Sequence, residues 1–408
     1  MTKPLRVLLV GNYALDRQES MHRFAGLMQD GLRQAGHQVK LLRPPVLMGR
    51  LKNGNSGLGK WLAYLDKFFF FPGLLRAEAR RADVVHICDH GYAMFAGWVG
   101  ATPSVVTCHD MLAVRGAMGE QTDIYPSATG HYLQRWIVRG LRRAKVIVSD
   151  SSATAADVQR IIGGKPAKKV ILLSLNYRYQ KLRPEEAVAR LVHLTELDTA
   201  KPYVLHVGHN HPRKNRPCVI RAFARASRET DLQLVLAGPP LTPELLELID
   251  AQGIADRVTV IVKPSNAVLE ALYNLALALL FPSRFEGFGW PLIEAQACGC
   301  PVICSRCAPF AEIVGDSAIC RNVEDERGFA EEILRLARDD GERGAWSEAG
   351  LRNAQRFTPA QMIARYIEAY RELLLPQHAE NGGAAGPGAR PHPSTPTTGA
   401  MGMGTPPQ

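Results

Sequence analysis

Glu286 and Glu294 stand eight positions apart, separated by Gly287-Phe288-Gly289-Trp290-Pro291-Leu292-Ile293. A carboxylate offers two acceptor oxygens, which suits a ligand rich in hydroxyl groups. Gly287 and Gly289 allow the backbone itself to approach such a ligand. A second group is Gly208-His209-Asn210-His211-Pro212-Arg213-Lys214-Asn215. Arg213 and Lys214 form a cation pair next to the start of an apolar-periodic segment, an arrangement that suits a diphosphate at a helix N-terminus. A third is His109-Asp110, directly after the β-branched run Val105-Val106-Thr107. Taken singly, each has a plain structural reading: two solvated acids, a basic loop, a packed histidine. Their joint position at the ends of apolar strands favours a binding site.

Those strands recur in both halves of the chain. Leu5–Val10, Val39–Leu42, Val84–Ile87, Ser104–Cys108 and Val146–Ser149 alternate with helical periodicity such as Met21–Ala35, whose Phe24, Leu27, Met28 and Leu32 share a face. The pattern restarts with Tyr203–Gly208, Leu232–Gly238, Val258–Val262, Leu277–Phe281 and Val302–Cys304. Strands alternating with amphipathic helices predict parallel sheets covered on both faces. The expected architecture is α/β, two doubly wound Rossmann-like domains facing across a cleft. The boundary falls in the turn-prone segment near 195–201, giving residues 1–195 and 196–358. Ligands of such sheets bind at the carboxyl ends of the strands, where Gly208, His109 and Glu286 all lie.

The Glu286 to Glu294 segment resembles the E-x7-E signature of retaining family 4 glycosyltransferases of the GT-B fold. The likeness runs almost continuously to Ala311-Glu312-Ile313-Val314 and is looser in the first half. The resemblance implies transfer of a hexose-type sugar from a UDP or GDP donor with retention of configuration. It implies that Arg213 and Lys214 stabilise the leaving diphosphate, in the loop opened by Gly208. It further implies that Glu286 and the N–H groups of Gly287, Phe288 and Gly289 hold the sugar, and that Glu294 holds the ribose. The base would lie near Lys263, and His109 would contact the donor sugar, with Asp110 shaping the acceptor pocket or supporting its loop. No D-x-D motif is present, so neither a metal nor a separate cofactor is expected. The implied helix 359–376 crosses back to the first domain. The loop Gly11–Ser20 departs from the family's Gly-Gly-x-Glu pattern, leaving Asp16, Arg17 and Gln18 as the candidate acceptor residues.

The full chain of 408 residues carries a formal charge of +10. Residues 1–195 hold 28 Lys+Arg against 14 Asp+Glu, and the remainder 21 against 25, so the basic character belongs to the first half. The segment Lys60–Pro72 is unusually aromatic, and Arg135, Arg139, Arg142 and Arg143 add a basic run. Together they suggest contact with an anionic membrane through Trp61, Phe68 and Phe69, set against inward packing of the same helix. A glycan or lipid-linked acceptor at the inner face of the cytoplasmic membrane follows. No apolar run reaches the roughly 18–20 residues of a membrane span, the N-terminus does not read as a signal peptide, and no nucleic-acid motif is present. The eight cysteines lack disulfide-framework spacing, which fits a reducing cytoplasm. Cys298, Cys300, Cys304 and Cys307 invite a zinc reading, but a helix end, a turn and a strand would aim the thiols apart. Residues 377–408 are rich in Gly, Pro, Thr and Ala and are expected to be disordered. The rival readings are a nucleotide-sugar epimerase of the same fold and a non-catalytic nucleotide or nucleic-acid binding protein.

Overall fold

The computed structural model describes residues 3–16, 18–51, 58–194 and 196–375. Arg17 and the 377–408 tail lie outside the described residues. Strands β1 (Arg6–Val10), β2 (Gln38–Leu42), β3 (Val84–Ile87), β4 (Ser104–Cys108), β5 (Val146–Ser149) and β6 (Ala167–Val170) form a parallel sheet in the order β2-β1-β3-β4-β5-β6. Strands β7 (Tyr203–Val207), β8 (Gln233–Gly238), β9 (Val258–Val262), β10 (Ala278–Phe281), β11 (Val302–Ser305) and β12 (Ile319–Arg321) form a second parallel sheet, β12-β11-β10-β7-β8-β9. The central strands are buried on both faces, as their continuous apolar runs require. The molecule is thus two Rossmann-like α/β layers, as expected. Strands β6 and β12 were not legible in the sequence. Ala167-Lys168-Lys169-Val170 is a half-exposed edge strand without an apolar run, and Ile319–Arg321 is too short to carry a period.

Strand order reverses between β1 and β3 in the first sheet and between β7 and β10 in the second. Loops leaving neighbouring strands diverge at such a point and open a crevice. The crevice of the second sheet is flanked by Gly208, after β7, and by the Pro282–Gly289 loop, after β10. That of the first is flanked by Gly11-Asn12 and Cys88-Asp89, where Asn12 Nδ2 donates to Asp89 Oδ2 at 2.6 Å.

The Pro359–Leu374 helix packs against the Glu19–Gln34 helix of the first half. Tyr370 OH meets His86 Nδ1 at 2.7 Å, and Tyr366 OH meets Thr107 Oγ1 at 2.9 Å. Thr107 Oγ1 in turn lies 2.7 Å from His86 Nε2. Every polar atom of this buried chain is partnered, so the last helix is joined to the first sheet by a specific network as well as by apolar area.

Candidate active site

Leaving β7, the chain passes Gly208, turns through Pro212–Lys214 and enters the Arg216–Ala226 helix at Asn215, whose φ is 53°. Leaving β10, it reaches Glu286. Arg213 Nη1 donates to Glu286 Oε2 at 2.8 Å and to the Phe285 carbonyl at 3.2 Å, and Lys214 Nζ donates to Glu286 Oε1 at 2.5 Å. The structure therefore brings together the acid and the two cations that lie some seventy positions apart in sequence. Lys214 is only 8% exposed, and its ammonium sits 4.7 Å above the Phe281 ring. Burial lowers its pKa, and Glu286 only partly offsets this. For Glu286 burial raises the pKa, but Lys214 and Arg213 outweigh it and keep the carboxyl below its usual range.

Arg216 is a third cation nearby, on the β8 side of β7, and carries no local sequence signal of its own. It is buried, donating from Nη2 to the Gly208 carbonyl at 2.7 Å and from Nη1 to Asn210 Oδ1. Burial lowers its pKa to about 10, and no carboxylate is among its bonded partners. Two cations against one carboxylate leave the crevice between β7 and β10 with a net positive charge, and Arg216, buried against Gly208 and Pro239 on the β8 side, adds to that field. In a desolvated crevice that field favours an anion such as a diphosphate.

Glu294 lies in the Trp290–Ala297 helix, which starts from Gly289 at φ 107°. A Cβ added to Gly289 would lie 2.8 Å from the Phe310 ring, so both conformation and space demand glycine. Glu294 is buried, accepting from Tyr273 OH at 3.0 Å and from Asn176 Nδ2 at 3.3 Å. Burial pushes its pKa up to about 7, against the opposing pull of Tyr273, Arg23 and Asn176. The Arg23 charge acts on it through space from the Glu19–Gln34 helix of the first half. Arg23, Asn176 and Tyr273 carried no local sequence signal, because only the fold places them beside Glu294.

The two halves touch at Gly287. A Cβ there would lie 1.9 Å from the His109 carbonyl oxygen, and Ser151 Oγ donates to the Gly287 carbonyl at 2.8 Å. Nearby, Glu312 accepts from Ser152 N at 2.7 Å and from Ser152 Oγ at 2.9 Å. Asp150 and Ser151 follow β5 as His109 follows β4, so the strand-end logic that singled out His109 applied equally to them. The His109 imidazole itself is buried. Its Nε2 donates to the Cys88 carbonyl at 2.9 Å, and its Nδ1 faces Asp150 Oδ2 at 3.4 Å. With the Nε2 proton committed to a carbonyl, Nδ1 and the carboxylate would repel unless a proton lies between them. The shifts agree: burial lowers the His109 pKa, but Asp150 outweighs it and raises it, while burial raises Asp150 to about 6. What His109 presents directly to the other half is its backbone carbonyl.

The remaining expected site residues are also placed. Asp110 Oδ1 accepts from Leu112 N at 3.0 Å, so it supports its own loop. Lys263 is exposed beside β8, with φ 49° and its N–H bonded to the Gly238 carbonyl at 3.0 Å. The Phe288 side chain is buried, edge-on to Phe357 at 6.0 Å. Asp16 accepts twice from Lys67 Nζ, at 2.7 Å each, and from Tyr92 OH at 2.8 Å, while Gln18 Oε1 accepts from Asn12.

Asp16 is thereby tied to the aromatic helix. That helix runs as Leu58–Leu65, a π-turn at Asp66–Phe70, then Phe71–Ala79. Asp66 accepts from Tyr13 OH at 2.6 Å and from the N–H groups of Leu47, Met48 and Gly49. The π-turn also corrects one expectation. Phe68 does not join Trp61 and Phe69 on the surface; its ring packs inward, 4.9 Å from Trp136 and 6.2 Å from Phe95. The extra residue per turn shifts the helical phase assumed from a 3.6 period, so Phe68 and Phe71 turn in while Phe69 and Phe70 turn out.

Among the described residues no group of three or more His, Cys, Asp or Glu side chains is placed to hold a metal ion. Cys298, Cys300 and Cys304 are separately buried core residues, and Cys307 donates to the Arg284 carbonyl at 3.6 Å.

Comparison with known proteins agrees with this geometry. The Glycosyltransferase Family 4 profile matches residues 21–173, and that of Glycosyl transferases group 1 matches residues 194–353. The chain is 26% identical over 275 residues to the O-antigen chain mannosyltransferase B of Escherichia coli, covering 66% of this chain and 70% of that protein. It is 26% identical over 352 residues to the D-inositol 3-phosphate glycosyltransferase of Rhodococcus jostii, covering 82% and 77%. Among solved structures, Anabaena HepE in complex with UDP and glucose superposes with a TM-score of 0.68 at 18% identity, covering 90% of this chain and 100% of that one. WaaG, a glycosyltransferase of lipopolysaccharide biosynthesis, superposes with a TM-score of 0.67 at 16% identity, covering 90% and 99%. Two matched profiles on the two halves, a crevice at each switch point and a shared fold make this chain a GT-B glycosyltransferase, related to the group 1 and family 4 enzymes.

Proposed function

We propose that the chain transfers a hexose from a UDP or GDP sugar to a membrane-associated glycan or lipid-linked acceptor, with retention of anomeric configuration and without a metal ion. The observation that carries this reading is the positive crevice between β7 and β10, where Arg213 and Lys214 outnumber Glu286, with buried Arg216 behind them on the β8 side. As the glycosidic bond breaks, negative charge grows on the diphosphate, and cations already held in place stabilise it without reorganising. Loss of one such group typically costs on the order of 100-fold in rate. Glu286 and the 287–289 backbone orient the sugar, and Glu294 accepts from the ribose hydroxyls. Relatives with UDP and glucose bound support the donor class, and those named for O-antigen and lipopolysaccharide support the acceptor class.

For the donor, the test is a thermal-shift series of the purified protein with UDP, GDP, ADP and their sugar conjugates, repeated on Glu294→Ala. Stabilisation by one nucleotide class, weakened by the substitution, is expected. Absence of any shift would remove the basis of the donor assignment.

Membrane contact is supported by Trp61, 66% exposed, and Phe69, 74% exposed, beside Leu65 and Phe70. The exposed Arg135, Arg139, Arg142 and Arg143 lie along or just beyond the Ala128–Leu141 helix, whose Trp136 packs on Phe68. Cosedimentation with phosphatidylglycerol vesicles should fall at least tenfold in the Trp61→Ser/Phe69→Ser double variant. Equal cosedimentation would end the membrane reading.

A further inference from the structure

Cys304 and Cys320 are register partners on the adjacent strands β11 and β12, and their Sγ atoms are 3.6 Å apart. Register partners in a parallel sheet point to the same face, and strands about 4.8 Å apart lie inside the Cα separation that a disulfide spans, about 4.4–6.8 Å. The pair differs from the other six cysteines in position and surroundings. Cys304 is buried, whereas Cys320 sits half-buried on the three-residue edge strand β12, with Arg306 acting on its charge.

We propose that Cys304 and Cys320 are a peroxide-sensitive dithiol that closes to a reversible disulfide. Cys320 attacks and Cys304 resolves. The Cys320 thiolate attacks one oxygen of hydrogen peroxide; an S–O bond forms, the O–O bond breaks, and the departing hydroxide takes up a proton as water. The Cys304 sulfur then attacks the Cys320 sulfenic acid; an S–S bond forms, the S–O bond breaks, and hydroxide leaves with the Cys304 proton as a second water. Two thiols lose two electrons, and peroxide is reduced to water. The assignment of roles follows from access and from charge. Hydrogen bonding with Cys304, aided by Arg306 and opposed by burial, lowers the Cys320 pKa, whereas burial raises the six thiols outside the pair. A partly exposed thiolate beside a resolving thiol is the arrangement that oxidises selectively.

The position gives the bond a connection to the anion pocket. Beyond β12, the Val323 carbonyl accepts from Asn215 Nδ2 at 3.2 Å, and Glu324 pairs with Arg284 at 2.5 Å. Asn215 and Arg284 flank Lys214 and Arg213, which places the oxidisable strand pair next to the proposed donor loop. In the chemistry of the bond itself, nothing depends on the donor assignment.

The test is to expose the fully reduced native protein to hydrogen peroxide at pH 7, block free thiols, and map peptides without reduction. The expected product is a single Cys304–Cys320 cross-link, restored to two thiols by dithiothreitol and missing in Cys320→Ser, with the other six thiols still alkylatable. A melting profile of Cys320→Ser equal to that of the reduced protein confirms that the substitution leaves the fold intact. Oxidation that stops at a Cys320 sulfinic acid, that falls first on Cys307, or that links the pair only in denaturant would overturn the proposal.

Discussion

Glu294 costs the free protein stability in return for a strong acceptor. Its carboxyl titrates near pH 7 in the folded state because burial disfavours the charge. In the unfolded chain it ionises near its ordinary value, about 4.3. Between those values the unfolded state has already lost the proton that the folded state retains, so stability falls as pH rises through this window and stays lower above it. Glu294→Gln should therefore raise the stability of the ligand-free protein at pH 8 by about 3 kcal/mol, and leave it nearly unchanged at pH 4. Urea unfolding at the two pH values checks this, and equal effects at both would show that Glu294 is not desolvated. The same substitution should abolish nucleotide-induced stabilisation. Lys214 shows the converse balance, a buried cation kept charged mainly by Glu286. The placement of both acids, one after β10 and one in the following helix, was legible in the sequence because their spacing, glycines and strand-to-helix context are local. Arg216 was not, because a basic residue in a helix reads as solvated until its guanidinium is seen to be buried against Gly208.

At the level of elements, the loop after β10 works because it meets the loops after β4 and β5. Gly287→Ala would drive a methyl into the His109 carbonyl, 1.9 Å from the ideal Cβ position. Overpacking of this kind costs about 1–3 kcal/mol, and the midpoint of urea unfolding should fall accordingly. Ser151→Ala removes the hydrogen bond to Gly287 together with the N-cap bond that Ser151 Oγ accepts from Thr154 N, and should cost about 2 kcal/mol. Unchanged midpoints in both variants would mean that the two halves do not meet in solution at this contact. The aromatic helix departs from the uniform 3.6 period of its sequence. A uniform 3.6 period placed Phe68 on the outer face, but the π-turn advances the phase by one residue. Its cause is a set of contacts distant in sequence: Asp66 gathers Tyr13 and three backbone N–H groups, and Lys67 reaches Asp16. No window of local sequence contains those partners.

Across the whole molecule, the last helix is held to the first sheet through a neutral histidine. Burial lowers the His86 pKa to about 3, so the folded state refuses a proton that the unfolded chain accepts below about pH 6.5. Stability should therefore be intact above that pH and lost progressively as pH falls toward 3, by on the order of 4 kcal/mol from this group. Buried His206, whose pKa burial also lowers to about 3, acts in the same direction. Hydrogen exchange at pH 4.5 should show the Pro359–Leu374 helix opening before the central strands; uniform protection would contradict the role given to His86. The sequence by itself determined the two parallel layers and the strands of the core, and it set Glu286, Glu294, Arg213 and Lys214 at or just after strand ends, because apolar period, turn residues and strand-end position are properties of neighbouring residues. Only the tertiary structure decided which loops flank each switch point, which buried groups keep a proton, and how Arg23, Asp150, Arg216 and Cys320 find their partners. Those outcomes rest on desolvation and on contacts between distant segments, and both exist only once the chain has closed on itself.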